Sequence, residues 1–327
     1  MTDKLLLLLM IFFTAILHPE LAKAFPDTNS VFEPVKVIQL VSKNSRNRQY
    51  TESLSTLLYE IGQRTSVDMD FNPIEIETLT DPALSKHTLL YINIDSFDKW
   101  SLSSEETEAL KKFIDLGGFV FLDAGIKSEF LRASNSGIHS FADWEARPEV
   151  TELFSDIYPD KEFMALARNH PVFHTVYSGL PDAAQLPEAI RDFVVNEKWP
   201  GGTYSLVGLE VNNRLAVIAA PVMAMGWGKD ETGNWIYQID FRVREGSEQL
   251  SERLSLAAYS GDKFEANRAD GLVDIVYTHK NERPGWVQEP DGQFRVFKYY
   301  SGPEISDFAH SFYTRLGINI FVFALLD

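Results

Sequence analysis

"LLYINIDSFDKWSLSSEETEALKKFIDLGGFVFLDAG" (Leu89–Gly125) holds a strand, a helix and a second strand in 37 residues. Its first part is continuously apolar, and the strand is read over Thr88–Ile94, running into the polar Asp95 and Ser96. An unbroken apolar run of this length suits a strand buried on both faces. Ser103 with Glu106 three residues on makes a capping box, which starts a helix. Leu110, Phe113 and Ile114 form its buried stripe, and Glu108 and Lys112 pair across one turn on the wet face. Gly117 suits the left-handed position just past the helix, where a side chain would be penalised. Gly118–Leu122 then enter a second buried strand that ends on Asp123, Ala124 and Gly125.

The same texture extends upstream. "VKVIQLV" (Val35–Val41) reads as an interior parallel strand, and the polar, basic "SKNSRNR" (Ser42–Arg48) as the loop at its carboxyl end. Leu54, Leu57, Leu58 and Ile61 share one helical face. Val67, Met69 and Phe71 alternate with Asp68 and Asp70, which predicts a half-buried strand. Apolar strands separated by amphipathic helices imply an α/β three-layer sandwich with a mainly parallel central sheet. Ligands of such sheets bind beyond the carboxyl ends of the strands. The candidate rim is therefore Ser42–Arg48, Asp95–Asp98 and Asp123–Lys127.

Downstream the pattern loosens. Short helices are predicted over Glu149–Ile157 and Glu162–Arg168, and a helix over Leu250–Tyr259. Tyr204–Val211 and Arg214–Ala220 flank Asn212-Asn213, a two-residue link suited to a hairpin turn. "NWIYQIDFRV" (Asn234–Val243) reads as a further strand. Asp291-Gly292 turns a late hairpin into "QFRVFKYY", and a helix from about Ser306 closes the chain.

The chain has 327 residues, 45% hydrophobic and 24% charged, an ordinary globular composition. Lys4, the apolar run Leu5–Leu17 and the Ala22-x-Ala24 pattern read as a signal peptide over residues 1–24, cleaved before Phe25. That run is shorter than the ~20 residues a spanning helix needs. Residues 25–34 follow as a flexible leader, and residues 35–327 as a single domain. The mature chain is expected to be periplasmic or secreted, with no membrane span. The formal charge of −17 repels nucleic acid. There is no Cys, which excludes a Cys nucleophile, a thiolate metal site and an iron–sulfur cluster.

Several stretches together carry a resemblance: Leu89–Gly125, "NHPVF" (Asn169–Phe173), "RLAVIAAP" (Arg214–Pro221) with "GWG" (Gly226–Gly228), and "LGINIFVFALLD" (Leu316–Asp327). They resemble the bacterial domain-of-unknown-function family 4159. That family belongs to the larger group built like class I glutamine amidotransferases, with a flavodoxin-like core. Trehalose-utilisation-type domains are similar in their Gly-Gly strand and His-Pro motif. The resemblance implies an amidotransferase-like domain, and the unmatched stretch suggests a β-rich insertion over about 229–303. It also implies that Asp123, Ala124 and Gly125 stand where an amidotransferase keeps Cys, one residue and Gly. Glutaminase chemistry is therefore excluded.

Asp123 reads either as a functional acid (base, ligand acceptor or metal ligand) facing a cleft beside Asp95, or as a strand-end acid capping the next turn. Asn44, Arg46 and Arg48 could hold an anionic or hydroxylated ligand, or simply be solvated. Ser96, Gly125 and His170 complete the candidate ligand-binding set. His170 and His174 are spaced for a metal, but Pro171 places His170 at a turn, so neither a metal nor a cofactor is expected. Trp199, Trp227, Trp235, Trp286, Tyr299 and Tyr300 could offer faces to sugar rings, or be core. The expectation is an exported, non-catalytic domain recognising a protein or small-molecule ligand. The alternative is a carbohydrate-binding or carbohydrate-processing protein.

Overall fold

The computed structural model describes residues 33–43, 50, 52–126, 146–167, 169–178, 181–192, 206–245, 263–267, 272–278, 284–288, 292 and 294–326. Residues 1–32, which hold the predicted signal peptide and most of the leader, lie outside the described residues, as do Asn44, Arg46, Arg48, Trp199 and the predicted helix Leu250–Tyr259.

Strand β1 (Ile38–Leu40) is completely buried and leads to helix α1 (Ser53–Arg64). Leu54, Leu57, Leu58 and Ile61 of α1 are all fully buried, as their spacing requires. Each contributes about 1.5–3 kcal/mol of burial. The next strand, β2 (Ile74–Ile76), falls later than the alternation at Val67–Phe71 predicts. Met69 makes only an isolated parallel bridge to Val35, and Ile74–Ile76 takes the register against β1. Both pieces alternate in polarity, so periodicity could not choose between them.

Strand β3 (Leu89–Asn93), helix α2 (Ser104–Asp115) and strand β4 (Phe119–Asp123) form as read. Both halves of the capping box are present: Glu106 N–H donates to Ser103 Oγ, and Ser103 N–H to the Glu106 carboxylate. Gly117 has φ +102°. Gly118 is needed for a different reason: a Cβ there would sit 2.4 Å from the Phe113 ring.

Helix α3 (Pro148–Ile157) is as expected. The predicted helix Glu162–Arg168 is instead a two-residue strand, β5 (Met164–Ala165), recruited to the sheet edge by β6 (Val207–Val211). Short helix α4 (Glu188–Asp192) lies between β5 and β6 along the chain. Strand β7 (Arg214–Ala219) returns from β6 through Asn212 and Asn213, both left-handed at φ 55° and 60°. The sheet order is β2-β1-β3-β4-β7-β6-β5, parallel from β2 to β7 and antiparallel beyond.

A second, antiparallel sheet is built from β8 (Phe241–Glu245), β9 (Lys263–Asn267), β10 (Val273–Thr278), β11 (Pro284–Gln288) and β12 (Phe294–Tyr300), in the order β8-β12-β11-β10-β9. Of the strand predicted over Asn234–Val243, only the part from Phe241 joins it. Helix α5 (Pro303–Leu326) ends the described chain.

The seven-stranded sheet separates two cores. Alternate strand residues, including Tyr91, Phe119 and Phe121, meet α1 and α5; their neighbours, including Leu90, Ile92, Val120 and Leu122, meet α2 and α3. α5 is long and apolar enough to cross a membrane by composition, but 72% of its most apolar window is buried in the protein, so it reads as a core helix. Phe121 is the keystone on that side, with the rings of Tyr91, Trp227 and Phe321 around it at centroid distances of 5.6, 6.2 and 5.8 Å. Phe121→Ala is expected to destabilise the protein by about 3–5 kcal/mol, read as a lower urea midpoint at unchanged slope.

Candidate functional site

The carboxyl ends of β3, β4 and β7 converge on Asp123, which is fully buried. Five donors reach its carboxylate. Tyr91 Oη, Asn93 Nδ2 and the Ala224 N–H donate to Oδ2 at 2.7, 3.1 and 2.9 Å. The N–H groups of Met223 and Ala124 donate to Oδ1 at 2.6 and 2.9 Å. Tyr91 and Asn93 lie two apart on β3, so they project to the same face as Asp123, and Asn93 is its register partner. Burial, then the adjacent Asp123 charge, hold the Tyr91 phenol well above its ordinary range, so it stays a donor.

Two of the main-chain donors come from a distant segment. Met223 and Ala224 open the turn that follows β7, where Ala224–Gly226 form one 3-10 turn. Asp123 therefore ties the end of one strand to the segment leaving another, 100 residues on. Burial raises its carboxyl from 3.8 to about 6, against the pull of the Met223, Tyr91, Ala224 and Ala124 donors.

The strained residue of this turn is Ala124, not Asp123: its φ is +57°, in the left-handed region. That conformation costs a side-chain-bearing residue roughly 1–2 kcal/mol and is held here by surrounding bonds. In nucleophile elbows a strained residue on a sharp turn at a strand end presents the attacking atom. Here the position carries a buried methyl group. Gly125 follows because a Cβ would lie 2.9 Å from the Ala219 Cβ and the Leu122 carbonyl oxygen.

Asp95 and Ser96 sit above this buried layer. Asn93 joins the layers: its Nδ2 serves Asp123 while its Oδ1 accepts from the Asp95 N–H at 3.0 Å. Ser96 Oγ donates to the Asn93 carbonyl at 2.7 Å. The Asp95 carboxylate meets Arg147 at 2.8 Å, and Arg147 also pairs with Glu149 at 2.7 Å and receives its backbone hold from the Gly125 carbonyl. Arg147 is a rim residue with no local sequence signal, since the segment that brings it back to β4 has no periodicity. Tyr91 and Asn93 were concealed in the apolar run of β3.

His170 lies on a different element. Its Nδ1 accepts from the Val172 N–H and caps the Pro171–Phe173 turn, and its ring packs on Phe323. His174 is exposed at the end of that turn. Among the described residues no three His, Asp or Glu side chains are grouped to hold a metal ion.

Of the aromatic candidates, Trp227 is buried, with its indole N–H donating to the Tyr313 carbonyl at 3.0 Å. Trp235 stacks on His310 with 4.0 Å between centroids and carries Lys229 over its ring. Trp286 lies on β11 and Tyr299 on β12; Tyr300 packs half-buried on the core.

A family model described as "Domain of unknown function (DUF4159)" matches residues 36–325. The chain belongs to this family. No curated protein matches it significantly. The matched span reaches from β1 into α5, and the second sheet falls within its bounds.

Asp123→Asn places an amide NH2 against at least two of the five donors. The expected loss is about 2–5 kcal/mol, measured by urea unfolding. Because the folded carboxyl titrates at about 6, above its unfolded value, its linkage contribution is present in acid and is lost as pH rises through about 6. The stability gap between wild type and Asp123→Asn should therefore be wider near pH 4 than near pH 8.

Proposed function

We propose that this DUF4159 member is an exported, non-catalytic recognition domain on an amidotransferase-like, flavodoxin-like scaffold. One observation carries the reading: the acid at the elbow spends its carboxylate on five internal donors, and the strained position beside it holds Ala124. A general base or nucleophile needs a free lone pair within reach of substrate. Asp123 has its lone pairs engaged and no exposure to solvent. The strand order β2-β1-β3-β4-β7 is compatible with the doubly wound flavodoxin-like arrangement, whose ligands lie at strand carboxyl ends. The Leu5–Leu17 run and the Ala22-x-Ala24 pattern support export to the periplasm or medium.

On this reading the recognising surface is the rim above Asp123, where Asp95, Arg147 and Glu149 are partly exposed. The partner is a protein or small molecule presenting polar groups to that charged strip. The carbohydrate alternative rests on likeness to trehalose-utilisation domains. Sugar binding uses open aromatic faces, and Trp100 and Trp227 are buried while Trp235 is stacked.

Two measurements test the proposal. The mature chain should turn over neither glutamine nor aryl ester, phosphate or glycoside substrates above a protein-free blank. Activity that Asp123→Asn removes at unchanged melting temperature would overturn the non-catalytic reading. A photo-crosslinking residue at Glu149, in cells exporting the protein, should trap a discrete adduct that the same residue at Glu108 on α2 does not. Absence of that adduct would overturn recognition at this rim.

A further inference from the structure

After Gly226 the chain makes a small hairpin. Lys229 and Trp235 form an antiparallel bridge, the Ile236 N–H donates to the Gly228 carbonyl, and Asp230–Gly233 close the turn with Gly233 at φ +85°. The hairpin lies on the strand-end side of the sheet. A Cβ on Gly228 would touch Ser53 at the start of α1, and the Tyr237 ring packs on Tyr50. It also leads directly into β8 and the second sheet.

One imidazole closes the base of this hairpin. His310, buried in α5, has Nδ1 2.9 Å from the Gly226 carbonyl oxygen and Nε2 2.8 Å from the Tyr237 carbonyl oxygen. These carbonyls are the two ends of the hairpin. Both are acceptors only, and a neutral imidazole has a single N–H. The ring can therefore bond both ends only when it carries two protons. With one proton, a lone pair faces a carbonyl oxygen at hydrogen-bond distance, and that end is held by nothing from His310. The Trp235 ring lies parallel on the imidazole, 3° between planes, a face that suits a cation.

We propose that His310 is a proton-operated latch: doubly protonated it holds both ends of the Gly228–Ile236 hairpin, and singly protonated it holds one and releases the other. The charged groups acting on it are Asp307 on its own helix, which favours the proton, and Lys229 on the hairpin, which opposes it. Lys229 is itself paired with Glu60 of α1 at 3.0 Å. Asp123 grips the same turn from the other side, through Met223 and Ala224.

Two pH effects must be separated. Burial, the largest influence, holds the imidazole below its ordinary 6.5, so His310 lowers global stability as pH falls through its folded value. Release of one hairpin end keeps α5 folded and changes what the hairpin gives the ring: a carbonyl acceptor and the Trp235 face, both of which favour the doubly protonated imidazole. Acidification therefore tightens the hairpin locally while weakening the fold globally. The latch needs no recognition partner and stands apart from the proposed function.

Hydrogen exchange on the full chain tests it between about pH 5 and 8. Protection of the Trp227–Tyr237 amides, corrected for intrinsic exchange, should fall with rising pH by up to about tenfold per unit across the His310 titration. His310→Gln, whose protons do not titrate, should flatten that dependence. Nitrogen NMR of histidine-labelled wild type gives a readout that does not depend on the variant folding: both His310 nitrogens should be protonated at the acid end. Protection that stays constant while His310 titrates would overturn the proposal, as would a ring that stays singly protonated down to about pH 5.

Discussion

The bond between the Asp123 carboxylate and the Met223 and Ala224 N–H groups is the constraint around which the strand-end face is organised. A parallel sheet buried on both faces leaves its strand ends as bare backbone, and the chain leaving β7 must be told where to go. Here a charged acceptor in the interior does it. An isolated buried carboxylate would be costly; five donors make the site tolerable and turn the acid into a fixed point. Tyr91 and Asn93 belong to the same unit, and through Asn93 the buried layer is coupled to Asp95 and Arg147 at the surface.

From that fixed point the structure works outward along the chain. Asp123 sets the start of the turn after β7 and His310 contacts its end at Gly226. Trp227 then packs against both Tyr91 and Phe121 and bonds the Tyr313 carbonyl. The hairpin that follows is held by α1 through Glu60 and Gly228 and by α5 through His310. A carboxylate on the N–H side of the turn and an imidazole on its carbonyl side complement the direction of its peptide dipoles. The local strain at Ala124 is held by the same bonds, which is how a non-glycine residue remains left-handed there.

Elements with their own local signal were legible in advance. α2 has a capping box and a stripe, the β6–β7 turn has two Asn residues, and β3 and β4 are apolar runs bounded by turn chemistry. The misreadings have a common cause. Met69 and Ile74–Ile76 offered equal alternation, and pairing with β1 decided between them. Met164–Ala165 has helix-compatible composition but became a strand because β6 had an open edge. At the site, Asp123 and its alternative as a turn-capping acid could be read from its place at a strand end. Its partners could not, since Met223 and Ala224 lie 100 residues away and carry no signal in their side chains.

The sequence by itself determined the class of architecture and the chemistry it excludes. Period and capping are local properties, so the alternation of buried strands and amphipathic helices could be read without coordinates, and the absence of Cys rules out a thiol nucleophile outright. Tertiary structure decided what surrounds Asp123, Asp95 and His310. The meaning of a titratable group depends on what surrounds it: whether a carboxylate is a reagent or a brace is set by the donors that reach it, and those donors are brought by distant segments through the packing of the sheet.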